Sequence, residues 1–562
     1  MARQLFHPKR FQNRSWIQSI STDGLWMMML FLAALLLYSI NLGGVPLRDW
    51  DEGIVAQVAR EILQGESNWL YPTLHGDPYL NKPPLVHGLV AITYQLGGVN
   101  EWMARLPSAL LTAISVPWLY SLGRELSPQR TPALFSALVY LTLLPVVRQG
   151  RLAMLEGTVL FLLIAMLWCV MRSRRNLRYA LGSGLAFGLL CLTKGILLGI
   201  LLGAITALFL LWDTPRLLRS PYLWIGLLLG SLPVVGWYIA QGLERPEFFG
   251  ANLFDQSLKR VWDSVESNGG GPWYYLVELL KYSWPWLIFW PQALQFTWNH
   301  RNFSWSRLIL VWTGVYLGAI SLMGTKLPWY VLPLYPAMAL CIGFYLAEIW
   351  REGDPETGRW LQEKSDQTEA SLESLCPQPQ QLWPIFIVIA AAGLVACLYY
   401  GHLLPRIHPT MVETDLQLAM GACGITMAFT ALLLFQRERQ FLVILIWGSY
   451  LSLLMFFHSS HWVWELAEDY PVKPVAAMIQ TSAPQAAKIY TSHPYSRPSL
   501  NFYGDRKIRS RSSRELKEIW QTSDQPYLLL NQEALSDLRL PDAEKIDSVG
   551  GWSLVTRRLS SP

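Results

Sequence analysis

Apolar runs recur from residue 25 to residue 457, most of them close to the ~20 residues a helix needs to cross a bilayer. The pattern predicts thirteen crossings, near 25–43, 105–123, 131–147, 155–171, 178–193, 196–213, 222–240, 283–297, 308–324, 328–349, 382–401, 416–435 and 440–457. A fourteenth stretch, from Leu85 to Leu96, is short, carries His87 and Gln95, and is bounded by Pro and Gly, so it reads as interfacial. Basic residues support that count. With 85–98 on the surface, the basic N-terminus and the Arg- and Lys-bearing loops 123–130, 171–178, 213–220 and 436–440 share one side, the cytoplasmic one by the positive-inside rule. Counting 85–96 as a crossing would put the loop MRSRRNLR outside.

The outer side then holds the loop 48–105, the short loop 148–157, the loop 241–282 and the tail. Beyond Phe457 polarity becomes ordinary. Short apolar runs at 488–490 and 527–530 alternate with helical patterns at 472–479 and 513–520, which predicts a small α/β domain. The stretch 352–381 is charged, rich in Gln and Ser, and without period, the signature of a linker. The fold class expected is a polytopic α-helical membrane protein. Its membrane domain is 1–457 with outer loops 44–104 and 241–282, its cytoplasmic linker 350–381, and its extracytoplasmic α/β domain 458–562.

Composition agrees. Of 562 residues, 52% are hydrophobic and 15% charged, against about a quarter charged in soluble chains. The net charge of +5 sits largely in short loops, so it speaks to orientation and not to nucleic acid. The basic start MARQLFHPKRFQNRSW shows no small-residue cleavage site before the first apolar run, which predicts an uncleaved anchor. Cys169, Cys191, Cys341, Cys397 and Cys423 fall in the expected spans and Cys376 in the linker, so no disulfide framework is implied. No CxxC or paired-His spacing calls for zinc, and no cofactor or metal is predicted.

The centres of the thirteen runs carry no ionisable residue, whereas ion-coupled transport keeps such groups at mid-membrane. Here they gather at one end. Asp51 and Glu52 follow the first span, and a carboxylate there suits general-base work on an acceptor hydroxyl; the plainer reading is a solvated loop or a helix cap. Lys82, in YLNKPP, offers a compact cation to a phosphate, or else snorkels to lipid head groups. Arg148, Arg151 and Glu156 form a second outer cluster, with a surface ion pair as its bland reading. Lys194 and Lys326 stand at outer ends of spans, where anchoring is the ordinary role of a lysine. Taken together, several cations around few acids suit an anionic lipid. The loop 252–275 ends in Gly269-Gly270-Gly271-Pro272 and reads as a lid whose Trp273 and Tyr274 either stack on substrate or belong to an interfacial aromatic belt.

Ordered along the chain are Asp51-Glu52, YLNKPPL from Tyr79, RLPSA from Arg105, Gly150-Arg151 with Glu156, Lys194-Gly195, PWYY from Pro272, and KLPWYVLPLYP from Lys326, which includes Tyr330. In these motifs the chain resembles the polyprenyl-phosphate-dependent glycosyltransferases of the GT-C class, namely the lipid A aminoarabinose transferases and the protein O-mannosyltransferases. The resemblance implies thirteen spans and an inverting transfer from a lipid-phosphate sugar. It makes Asp51 the catalytic carboxylate, Lys82 a contact to the donor phosphate and Glu156 the second acid, where the family usually has Asp. Glu52 is grouped with these acids. Arg148, Arg151, Lys194 and Lys326 are grouped with Lys82, and Tyr79, Trp273, Tyr274 and Tyr330 are grouped as substrate or lid contacts. Asn81 and Asn268 replace an acid and a histidine that contribute to a metal site in the family, which argues against metal and against aminoarabinose as the sugar.

The function expected is transfer of a sugar from polyprenyl phosphate to a lipid, glycan or protein acceptor at the outer face of the plasma membrane. The partners are those substrates and membrane lipids, with no nucleic acid. The rivals are a flippase or other transporter of lipid-linked sugar, and a non-catalytic scaffold.

Overall fold

The computed structural model describes residues 9–65, 67–265, 268–352, 379–407, 413–463 and 471–558. The linker expected at 350–381, with Cys376, lies outside them apart from its ends.

The first helices are α1 (Lys9–Ser39), α2 (Asp51–Gln64), α3 (Leu85–Gly97), α4 (Glu101–Leu126), α5 (Arg130–Leu141), α6 (Leu144–Arg151), α7 (Glu156–Ser173), α8 (Tyr179–Lys194), α9 (Ile196–Asp213) and α10 (Pro221–Glu244). Among the described residues ten helical stretches are long and apolar enough to cross a membrane: part of α1, α4, α7, α9, α10, Ser304–Leu322, Pro328–Arg351, Pro379–Ile407, Thr414–Phe435 and Phe441–His458. The pair α5 and α6, bent by 59°, makes an eleventh. The two remaining expected crossings correspond to shorter pieces. One is α8, of 16 residues, which stops where Gly195 takes φ 105° and turns the chain into α9. The other is the helical stretch 286–299. The stretch 85–96 is the 13-residue helix α3, too short to span and packed on α2.

The α5–α6 bend differs from the expected straight span with a loop after it. Pro145 lacks an N–H and sits in the first turn of α6, so the chain breaks after Leu141 and restarts as a new helix. Arg148 to Arg151 are therefore helical and buried.

The tail is an α/β domain. Strands β3 (Ile489–Thr491), β4 (Ile508–Ser510), β5 (Tyr527–Asn531), β6 (Ala543–Val549) and β7 (Trp552–Arg557) form a sheet in the order β4-β3-β5-β7-β6, after a small hairpin, β1 (Thr73–Leu74) and β2 (Asp77–Pro78), in the first loop. The pairs β3–β4 and β3–β5 are parallel, and β7 runs antiparallel to β5 and β6. Alternation along β5 explains the layers. Tyr527 and Leu529 pack with Val472, Val475 and Ile479 of one flanking helix, while Leu528 and Leu530 pack with Leu516 and Trp520 of another.

Candidate active site

Three acids lie within four residues at the start of α2, and they take three different routes. Trp50, at φ 62° and ψ −70°, closes a tight three-residue turn, rare for tryptophan, in which the Asp51 N–H donates to the Asp49 carbonyl at 2.8 Å, and it sends its neighbours apart.

Asp49 turns to the tail. It accepts from Arg497 Nε at 2.7 Å and the Ser499 amide at 3.0 Å, and also from the Ser499 hydroxyl. Glu52 turns inward. Arg105 donates Nε to Oε1 and Nη2 to Oε2, both at 2.8 Å, and the Ala153 and Arg48 amides add bonds of 2.7 and 2.9 Å. Burial pushes the Glu52 carboxyl up, but the Arg105 charge and these hydrogen bonds outweigh it and hold it below its ordinary range. Grouped with the catalytic acids on its sequence, Glu52 is here a fully buried brace with both oxygens occupied.

Asp51 is left. Its one ion pair is a long one, 3.9 Å from Arg48 Nη2, and it accepts no side-chain or backbone hydrogen bond among the described residues. Desolvation raises its carboxyl to about 7; Arg48 and Lys194 oppose the rise, and Glu156 and Glu52 add to it.

The groups whose charges act on Asp51 assemble around it from distant segments. Glu156, in the first turn of α7, is buried and takes an ion pair from Lys194 Nζ at 2.5 Å, while its Oε2 has no partner among the described residues. Lys194, the last residue of α8, also stands 5.3 Å from the centre of the Tyr330 ring. Arg260 Nη1 lies 3.5 Å from the Tyr330 hydroxyl, which brings in the loop 241–282. Lys82 is half-buried beside its two prolines; burial lowers its ammonium to about 7, Arg260 and Lys194 add to the fall, and Glu156 and Asp51 resist it. The cluster therefore unites Asp51, Lys82, Glu156, Lys194 and Tyr330 of the expected residues. Tyr79 adjoins it, buried with its ring 5.2 Å from His87 and its hydroxyl within the influence of the Asp51 charge.

Other expected contacts sit elsewhere. Arg151 is fully buried, donates to the Leu37 and Ile40 carbonyls at the end of α1, and lies over the Phe457 and Trp462 rings at 4.7 and 4.5 Å. Arg148 donates Nε to the Trp462 carbonyl at 3.0 Å. Expected to meet a phosphate, these two arginines tie the helix ends to the last span, because the α6 bend turns them into the protein. Lys326 caps a helix, its Nζ donating to Ile320 and Ser321 carbonyls at 3.0 and 2.7 Å. Trp273 is 66% exposed and Tyr274 half-buried. The sequence reading missed Asp49 and Arg260. Nothing in a lone Asp or in the pair Lys259-Arg260 marks a role until the chain is folded.

Residues 81–239 match the family described as dolichyl-phosphate-mannose-protein mannosyltransferase. The chain is 30% identical over 332 residues to "Undecaprenyl phosphate-alpha-4-amino-4-deoxy-L-arabinose arabinosyl transferase 1" of Pseudomonas fluorescens, covering 58% of this chain and 60% of the relative. It is 31% identical over 306 residues to the like-named transferase of Erwinia tasmaniensis, covering 52% of this chain and 54% of the relative. The chain thus spans three fifths or less of the length of these curated relatives. In three dimensions it superposes on ArnT from Cupriavidus metallidurans, crystallised with undecaprenyl phosphate, with a TM-score of 0.73 and 17% identity, covering 94% of this chain and 98% of ArnT. The apo crystal structure of the same protein gives 0.72. That likeness, running through the membrane helices and the terminal sheet alike, shows a polytopic helical protein with the GT-C fold of ArnT.

Proposed function

We propose that the chain is a membrane glycosyltransferase that takes a sugar from a polyprenyl-phosphate donor, of the undecaprenyl type, and transfers it with inversion to an acceptor hydroxyl or phosphate at the outer face of the plasma membrane. The observation that carries this reading is Asp51, half-buried, its carboxylate accepting no hydrogen bond among the described residues, within the field of the ammonium groups of Lys82 and Lys194. The names of the relatives and the undecaprenyl phosphate bound by ArnT support the donor class.

In this mechanism Asp51 takes the proton of the acceptor hydroxyl, or orients an acceptor already ionised. The acceptor oxygen then bonds to the anomeric carbon on the face away from the carrier. The bond from that carbon to the phosphate oxygen breaks, and its electron pair leaves with the lipid phosphate. Lys82, Lys194 and Arg260 stabilise the charge that grows there. Glu156 fixes Lys194. The acceptor is a lipid, a glycan or a protein. Asn81 and Asn268, where the resembling family has an acid and a histidine, argue against aminoarabinose as the sugar.

Purified protein in lipid, given a panel of radiolabelled polyprenyl-phosphate sugars, tests the reading. One donor is expected to release its sugar, and Asp51→Asn to slow that release by about 10²- to 10⁴-fold. Release unchanged in Asp51→Asn overturns the assignment. Lipid translocated with no covalent product makes the protein a flippase.

A further inference from the structure

Asn252 is the buried residue of the helical stretch Gly250–Leu258 in the loop 241–282. The stretch is wound as a π-helix, a rare form that recurs at functional sites. Across its wide turn the Ser257 hydroxyl donates to the Asn252 carbonyl at 2.9 Å. The Asn252 side chain reaches out of the loop in two directions. Nδ2 donates to the Leu80 carbonyl at 2.8 Å and the Asn81 carbonyl at 3.3 Å, the two peptide oxygens just before Lys82. Oδ1 accepts from the Tyr238 hydroxyl of α10 at 3.0 Å. Carbonyls only accept, so the amide has one orientation here, and an aspartate or leucine of the same size could not donate to them.

The tyrosine in turn stands at the other lysine. Its hydroxyl lies 3.8 Å from the place of a Cβ on Gly195, the residue after Lys194. Its ring belongs to a buried cluster with Trp237 and Phe248, against which Leu80 and Ile196 pack. One hydrogen-bonded pair, Asn252 with Tyr238, therefore joins the backbone before Lys82 to the turn after Lys194. Arg245 also holds the first loop, at the Pro72 carbonyl 3.1 Å away, but farther along the chain from the lysine. Half-buried Lys82 itself donates no hydrogen bond and makes no ion pair among the described residues, so its place is set through its backbone.

We propose that Asn252 is a positioning residue for the transfer: its amide fixes the Lys82 backbone and Tyr238 keeps it in register with Lys194, so that both ammonium groups meet the same leaving phosphate. The proposal rests on the transferase reading for the phosphate, while the hold on Lys82 is measured without turnover.

The test is competitive labelling of lysines by acetic anhydride in the full-length protein in lipid, read by mass spectrometry across pH with exposed Lys517 as internal standard. Wild-type Lys82 is expected to titrate at about 7, where burial, Arg260 and Lys194 bring it against the pull of Glu156 and Asp51. Asn252→Leu frees the segment toward water, and Lys82 should then titrate about one pH unit or more higher and react faster. Tyr238→Phe should shift it the same way by less, and keeps the test open if the leucine variant does not fold. With a donor that the wild type cleaves, Asn252→Leu should lower kcat about 10- to 100-fold with KM little changed, and should add little to the loss in Lys82→Ala. Lys82 titrating alike in wild type and variants overturns the proposal, as does an equal fall in kcat with and without Lys82. Lys82-dependent release indifferent to Asn252 and Tyr238 refutes this proposal alone. A shifted titration with no Asp51-dependent release from any donor refutes the transferase reading alone and leaves the hold on Lys82 standing.

Discussion

Asp49, Asp51 and Glu52 share one chemistry and differ in what surrounds them, so their substitutions should separate. Glu52→Gln leaves Arg105 buried with its charge unbalanced, which costs about 3–5 kcal/mol when a buried pair loses one partner. The thermal midpoint of the detergent-solubilised protein is expected to fall. Asp51→Asn removes an acid whose carboxylate accepts no hydrogen bond among the described residues, so its midpoint should hold or rise while turnover falls. The same pair of groups sets the pH response. Below about 7 Asp51 takes up a proton and ceases to act as a base, and above about 7 Lys82 loses its charge. The rate should therefore trace a bell centred near pH 7. Lys82→Arg, which stays charged, should carry the alkaline limb upward and leave the acid limb in place. A flat profile between pH 6 and 8 would contradict both assignments.

At the scale of elements, much was legible. Apolar length located, to within a few residues, the ten helices long enough to cross and the bent pair α5–α6, because in lipid the backbone has few other ways to satisfy itself. Short apolar runs likewise marked the strands at 488–490 and 527–530. What failed were statements about direction. A bend at Pro145 carries Arg148 and Arg151 from an expected loop into the interior, and a helix end at Ser321 captures Lys326. Each outcome depends on a partner hundreds of residues away, or on a local kink that apolar counting does not register. Gly53 is another such case. It lies on α2 against Pro498 and Ser499, where a Cβ would meet the Ser499 nitrogen at 2.7 Å. Gly53→Ala should push α2 away from the terminal domain and misplace Asp51. A fall in kcat of about 100-fold is expected from a displacement near 1 Å, with the protein still folded by its thermal midpoint and donor KM little changed.

Across the whole molecule, the reacting groups come from the first loop, the ends of α7 and α8 and the loop 241–282, and all meet at one end of the bundle. If that end is extracytoplasmic, as the basic loops indicate, cysteines introduced at exposed Asn81 and Asp505 should both react with a membrane-impermeant maleimide in intact cells. A cysteine at Arg437, in the opposite basic loop, should react only after lysis. The reverse pattern would invert the topology and place the chemistry on the cytoplasmic side.

The bonds from Asp49 to Arg497 and Ser499 also impose an order on biogenesis. Arg497 follows Asp49 by 448 residues, so at roughly 5–20 residues per second the ribosome needs about 20 to 90 s to deliver the partner of a turn it has already made. Until then the Asp51 turn lacks the partners that fix it. A chain stalled between residues 458 and 497 would have made its apolar helices yet would lack both partners of Asp49. Docking of the α/β domain thus works as a safety catch: the turn that presents Asp51 stays unbraced until Arg497 and Ser499 reach Asp49.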